Sequence, residues 1–212
     1  MIDITILEKM FGNRCIIKDQ RIELHGGDFL VITGPSGCGK STLLHIIGLL
    51  DNDFYGEYSF NKNMLDLNNS FAISALRKDF FGYVFQDALI NERQNVMRNV
   101  LSSLDIFEQS VYKKDIIDVL NIVGLDYLNV KQPVSVLSGG EKQRISLARA
   151  LIKKPKIILA DEPTASLDLK NKKNIIKILR TYSDDGGCVI LVTHDVNIIP
   201  DGSKIMHISN YS

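Results

Sequence analysis

Apolar and polar positions along the 212-residue chain fall into two regimes. Residues 2–8 alternate apolar and polar, the period of a strand with one buried face, and residues 15–18 and 21–24 repeat that pattern over shorter stretches. Residues 29–33, 157–160 and 189–193 are nearly unbroken apolar runs of strand length. Such runs predict strands covered on both faces, and hence a parallel sheet alternating with helices. Apolar residues at three- and four-residue spacing predict helices over 43–50, 96–104, 116–123, 141–152 and 169–182. A further helix is expected at 71–78, short strands at 56–60, 81–85 and 204–208, and turns at 25–28 and 61–69. Residues 87–132 read as a mainly helical insert between two parts of an α/β core, 1–86 and 133–212, and the whole reads as one domain.

Composition narrows the picture. Apolar residues make up 45% of the chain, enough for a substantial core. Lys and Arg number 25, as do Asp and Glu, so no net field draws the chain to nucleic acid or an anionic membrane, and no nucleic-acid partner is expected. The apolar runs fall far short of the ~20 residues that span a bilayer. The start of the chain has no cationic segment leading into an apolar stretch and cleavage site, so a cytoplasmic protein is expected. The chain closes soon after residues 204–208, which predicts no appended regulatory domain. Cys15, Cys38 and Cys188 lack metal-ligand spacing.

The chemistry concentrates in Gly34, Pro35, Ser36, Gly37, Cys38, Gly39, Lys40 and Ser41, followed by Thr42. The spacing is G-x-x-x-x-G-K-[ST], and it follows a strand and precedes a helix. Glycines let the backbone close around phosphate oxygens, with its N–H groups turned inward and the helix N-terminus adding positive potential. Lys40 is then placed to reach the β- and γ-phosphates of a nucleoside triphosphate, and the Ser41 hydroxyl to ligate Mg²⁺. Cys38 within this loop is either a thiol open to alkylation or a small residue the loop tolerates.

The strand 157–160 runs directly into Asp161 and Glu162. Carboxylates at the C-terminal end of a parallel strand stand where such sheets bind ligands. Alone the pair reads as a solvated loop start. Behind a phosphate-binding loop, Asp161 becomes a Mg²⁺ ligand and Glu162 the general base for a water attacking the γ-phosphate.

Leu137, Ser138, Gly139, Gly140, Glu141, Lys142, Gln143 and Arg144 resemble the signature motif of ATP-binding-cassette (ABC) ATPases. The order of motifs resembles that family along nearly the whole chain: the phosphate loop, Gln86 at a strand end, a helical stretch, the signature, Asp161–Glu162, Ser166-Leu167-Asp168 and His194. The resemblance implies an α/β fold: a P-loop NTPase core with a mainly parallel sheet, an antiparallel β subdomain at the N-terminal side and a helical signature-motif subdomain. It implies ATP hydrolysis with Mg²⁺ held by Ser41, Gln86 and Asp161. Phe11 matches the aromatic that stacks on adenine, the other reading being an ordinary core residue. Ser138, Gly139 and Gly140 would bind the γ-phosphate of ATP held by a second copy, Asp168 would communicate across that homodimer, and His194 would contact the γ-phosphate beside Glu162. His25, His45 and His207 read as structural.

The resemblance also implies a separate integral membrane permease, with the cassette peripheral on the inner face of the membrane. Residues 36–51 and 81–87 are similar to the small ATPase subunits of macrolide-, lipoprotein- and bacteriocin-type exporters, which points to export of a peptide, lipoprotein, drug or bacteriocin. Two departures stand out: Asn91-Glu92-Arg93-Gln94-Asn95 replaces a more apolar stretch, and Ser203-Lys204 replaces an Asp-Arg pair. The other class of reading is a soluble ABC ATPase of translation or DNA repair, though the chain has one cassette and no heptad insert. The lysine-rich helix at 170–177 reads as a core face of Ile175, Ile176, Ile178 and Leu179 with its lysines in solvent, against the alternative of a membrane or nucleic-acid patch.

Overall fold

The computed structural model describes residues 1–209, so the last three residues of the expected core lie outside the described residues. Five parallel strands, β6 (Phe81–Val84), β7 (Ile157–Asp161), β8 (Cys188–Val192), β3 (Phe29–Thr33) and β9 (Lys204–His207), form the central sheet in that spatial order. Four antiparallel strands, β2 (Arg14–Leu24), β1 (Ile2–Phe11), β4 (Tyr55–Phe60) and β5 (Asn63–Met64), form a second sheet.

The apolar runs have a simple cause. Successive side chains of a strand point to opposite faces. Phe29, Val31, Ile158, Ala160, Val189 and Leu191 enter one core, shared with α3 (Val96–Val100), α5 (Ile116–Ile122), α6 (Gly139–Leu151) and α7 (Leu169–Asp184). Their neighbours Leu30, Ile32, Ile157, Leu159, Ile190 and Val192 enter a second core, against the antiparallel sheet and α1 (Lys40–Ile47). Each fully buried Leu or Ile contributes about 1.5–3 kcal/mol, so two filled faces hold the sheet rigid.

Beyond residues 81–84 the chain builds α3, α4 (Ile106–Tyr112) and α5, preceded by α2 (Ser70–Phe80). The structure differs from the periodicity in several places. The stretches 15–18 and 21–24 are one strand, and Asp19 between them has a left-handed φ of 50°. The short strand β5 lies within the expected turn 61–69. The helix expected at 96–104 stops at Val100, with a 3₁₀ turn following over Leu101–Ser103. The helix α4 was absent from the periodic pattern because none of its residues is buried. Its signal is instead a capping box, in which Asp105 accepts from the Glu108 N–H and the Glu108 side chain accepts from the Asp105 N–H. In α7, Ile175, Ile176 and Leu179 are buried and Ile178 packs beside them, as the core-face reading expects.

Candidate functional site

Strand order decides which motifs meet. Because β6, β7, β8 and β3 are parallel neighbours, their C-terminal ends open on one edge of the sheet. That edge carries Gln86 beyond β6, Asp161 and Glu162 at the end of β7, His194 beyond β8 and the loop 34–39 beyond β3. Backbone bonds stitch it together: Glu162 N–H donates to Val192 O at 3.0 Å, and Thr193 N–H to Ile32 O at 3.2 Å.

The loop needs its glycines. Gly34, Gly37 and Gly39 have φ of 148°, 77° and 101°. A Cβ on Gly34 would lie 2.1 Å from Ile208 O and 2.9 Å from Cys38 Sγ, so no side chain fits there. Lys40 opens α1, and its ammonium donates to the carbonyls of Gly34 (3.0 Å) and Pro35 (2.9 Å), which holds the charge over the loop. Ser41 and Thr42 follow in the first turn of α1. Ser36 and Gly37 are exposed, whereas Cys38 is only 2% exposed and packs into the second core. The structure therefore favours Cys38 as a tolerated small residue.

Glu162 has φ 45°, a conformation that costs a non-glycine residue about 1–3 kcal/mol and that collects at functional sites. Its Oε1 lies 2.9 Å from His194 Nδ1, and the histidine is exposed. Asp161 Oδ1 and Glu162 Oε2 are buried without a hydrogen-bond partner among the described residues. Each orphaned buried oxygen costs about 1–3 kcal/mol. A hard divalent cation and an ordered water are what such oxygens lack, so the acidic pair fits Mg²⁺. No cluster of three His, Cys, Asp or Glu residues with metal-binding geometry occurs among the described residues. A cation here would thus depend on the Ser41 hydroxyl, the Gln86 amide, water and phosphate oxygens besides Asp161.

Gln86 is exposed, and two side chains of α6 hold its loop. Gln143 Nε2 donates to Phe85 O at 3.1 Å, while the Arg149 guanidinium donates to Ala88 O at 2.7 Å and Leu89 O at 2.8 Å. Sequence spacing gave no hint of these contacts, since the partners lie 58 to 61 residues apart. Phe11, at the tip of the β1–β2 hairpin, is 81% exposed, so it is no core residue and offers a free aromatic face.

The remaining candidates stand elsewhere. Ser138 caps α6 in a capping box: the Glu141 N–H donates to Ser138 Oγ at 3.3 Å, and Ser138 N–H donates to Glu141 Oε2 at 2.8 Å. Glu141 also accepts from the Tyr127 hydroxyl at 2.6 Å. Hydrogen bonds from the Ser138 hydroxyl, then Tyr127, hold the Glu141 carboxyl below its ordinary pKa. Gly139 and Gly140 form the first turn of α6, and Asp168 caps α7 through the Asn171 N–H at 2.8 Å. No hydrogen bond joins Ser138, Gly139, Gly140 or Asp168 to the loop 34–41 among the described residues.

Comparison with known proteins agrees with this geometry. A family model described as ABC transporter matches residues 17–165. The chain is 37% identical over 213 residues to the macrolide export ATP-binding/permease protein MacB of Bdellovibrio bacteriovorus, covering 98% of this chain and 32% of that protein. It is 37% identical over 221 residues to the methionine import ATP-binding protein MetN of Campylobacter jejuni, covering 95% of this chain and 65% of that one. The chain thus spans about a third of the MacB relative and just under two thirds of the MetN relative. The dimeric structure of MJ0796, a bacterial ABC transporter cassette, superposes with a TM-score of 0.84 at 31% identity over 99% of this chain and 94% of the other. A dimeric post-hydrolysis state of MJ0796 bound to ADP and Pi gives 0.81 at 28% identity over 100% of this chain and 97% of the other. With a family model matching residues 17–165 and the fold of a solved cassette at 31% identity, the chain belongs to the ABC transporter ATP-binding cassette family.

Proposed function

We propose that this chain hydrolyses ATP as one half of a head-to-tail homodimer and thereby drives a separate integral membrane permease. The observation that carries the reading is that, among the described residues, no hydrogen bond joins the two groups of candidate residues. The loop 34–41, Gln86, Asp161, Glu162 and His194 share one sheet edge, while Ser138, Gly139, Gly140 and Asp168 sit at the N-termini of α6 and α7. A two-fold axis that sets the α6 N-terminus of one copy against the phosphate loop of the other completes two equal sites.

In that arrangement Phe11 stacks on adenine, and the backbone N–H groups of residues 34–42 cradle the phosphates with Lys40 on the β- and γ-oxygens. Glu162 accepts the proton of the attacking water, the water oxygen bonds to the γ-phosphorus, and ADP leaves. His194, with Nδ1 at 2.9 Å from Glu162 Oε1, orients the carboxylate beside the γ-phosphate. Bound through Ser41, Gln86 and Asp161, Mg²⁺ would neutralise charge building on the phosphate oxygens. The positive end of α6 adds to the same γ-phosphate from the second copy. Loss of that phosphate removes the contacts joining the two chains, and opening of the dimer is the stroke passed to the permease.

Export is the favoured direction, supported by the likeness of residues 36–51 and 81–87 to exporter subunits and by MacB relatives named for macrolide export. A relative named for methionine import favours the second reading, an importer. Either places the cassette on the inner face of the membrane through its permease. The test is Glu162→Gln: the variant should dimerise in ATP and lose about 10²- to 10⁴-fold in turnover, the range of a lost general base. Turnover near the parent would reject Glu162 as the base. Co-purification from solubilised membranes separates the directions: a permease with few spanning helices and a large external domain supports export, and a many-helix permease with a solute-binding protein supports import.

A further inference from the structure

The tips of α6 and α7 carry the residues assigned above to the second copy's ATP and to communication across the dimer. A groove of about 1000 Å³ runs along α6 and α7, from Ser138, Asp168 and Asn171 at these tips to Leu151, Tyr182 and Asp185 at the far ends. Deeper in, the two helices share an apolar core through Ile145, Ile175 and Leu179. Nearer the groove, one polar bridge joins them. Arg144 Nη1 of α6 donates to Asn171 Oδ1 at 2.6 Å, and Asn171 Nδ2 donates to Asp168 Oδ2 at 2.9 Å.

Chemistry singles out the amide. A guanidinium only donates and a carboxylate only accepts, so a group bridging the two must offer an acceptor on one side and a donor on the other. Asparagine does both within one short side chain. Capping does not require it, because the Asp168 cap uses the Asn171 backbone N–H, which any residue other than proline supplies. The same amide lies directly against the signature helix: a Cβ on Gly140 would approach Asn171 Cγ to 2.7 Å. The amide thus borders the first turn of α6 at Gly140 and reaches its second through Arg144.

We propose that Asn171, held by Arg144, is a positioning residue that couples the signature turn Ser138–Gly140 to the Asp168 turn. When the second copy's γ-phosphate is seated on α6, the bridge brings Asp168 into its dimer-closed position. The proposal rests on the two-copy reading above and adds the path by which one site reports its occupancy to the other.

The experiment uses the Glu162→Gln protein, which holds the ATP-bound dimer, as parent. Asn171→Ala keeps the backbone cap and deletes the bridge. Its ATP affinity as a monomer should match the parent, while its dimer dissociation constant in ATP rises by about tenfold or more. With Glu162 intact, Asn171→Ala should lower kcat and leave KM for ATP little changed. Asn171→Asp, which sets a carboxylate against Asp168, should be at least as impaired in dimerisation. Adding Arg144→Ala to Asn171→Ala should cost little more, because both remove one bridge. Parental dimerisation by Asn171→Ala, or fully additive effects of the two alanines, would overturn the bridge while leaving the dimer intact. A parent that stays monomeric in ATP would overturn the two-copy reading itself, and the bridge with it.

Discussion

Glu162 and Cys38 show how a residue's environment assigns its role. Glu162 sits in a left-handed conformation, with one carboxylate oxygen on His194 and the other buried without a partner. Backbone strain and an unsatisfied buried oxygen persist only where the surrounding structure holds them, and β7 and β8 do so through the Glu162-to-Val192 bond. Cys38 has the opposite fate: its loop suggests reactivity, yet its thiol is enclosed by the second core. Cys188 is buried too, and burial pushes its thiol up to about 12. A thiol reacts as its thiolate, so reactivity falls to Cys15, which is half-buried on β2. Native protein should accordingly label at one thiol quickly with a small maleimide and at all three in denaturant, followed by mass spectrometry. Rapid labelling of Cys38 in the native state would contradict the packing described.

Among the elements, helix ends carry more of the proposed site than helix bodies. The capping box at Ser138 satisfies backbone donors at the tip proposed to meet phosphate, and it joins residues only three apart. The Tyr127 hydroxyl on Glu141 was not legible, because it comes from a loop 14 residues away. Replacing Ser138 by alanine should cost about 1 kcal/mol of stability in urea unfolding at neutral pH. Because the folded Glu141 pKa lies below its ordinary value of 4.5, its contribution is complete above that value and lost as pH falls through the folded one. The gap between parent and Ser138→Ala should therefore narrow as pH drops below about 4.5. A gap that widened in acid would show that Glu141 is not held by the cap.

For the whole molecule, the proposed two-copy site dictates what isolated variants should do. Lys40→Ala damages the phosphate loop, and Gly139→Asp blocks the signature turn with bulk and negative charge. Each alone should be inactive, since every site in its dimer carries the lesion. Mixed in equal amounts, the two should recover at most about a quarter of parental ATPase: half the dimers are mixed, and each mixed dimer has one complete site. Failure to recover any activity, with mixed dimers demonstrated, would mean that the loop and signature of different chains do not combine. The charge balance of the chain, 25 basic against 25 acidic residues, leaves no bulk field to drive the proposed assembly.

The sequence by itself determined the local chemistry. The glycine-lysine loop, the acids ending an apolar strand and the capped signature turn each depend on neighbours a few residues away, and such dependence is written into spacing. Alternation of burial likewise announced the strands that fill both cores. Only the tertiary structure decided what depends on long separations. It joined two short strand candidates into β2 across a left-handed Asp19, exposed Phe11 at a hairpin tip and closed Cys38 away from solvent. It set Gln143 and Arg149 on the Gln86 loop and made Asn171 the bridge between α6 and α7. Contacts between residues dozens of positions apart arise from strand order and helix packing, and neither leaves a period in the chain.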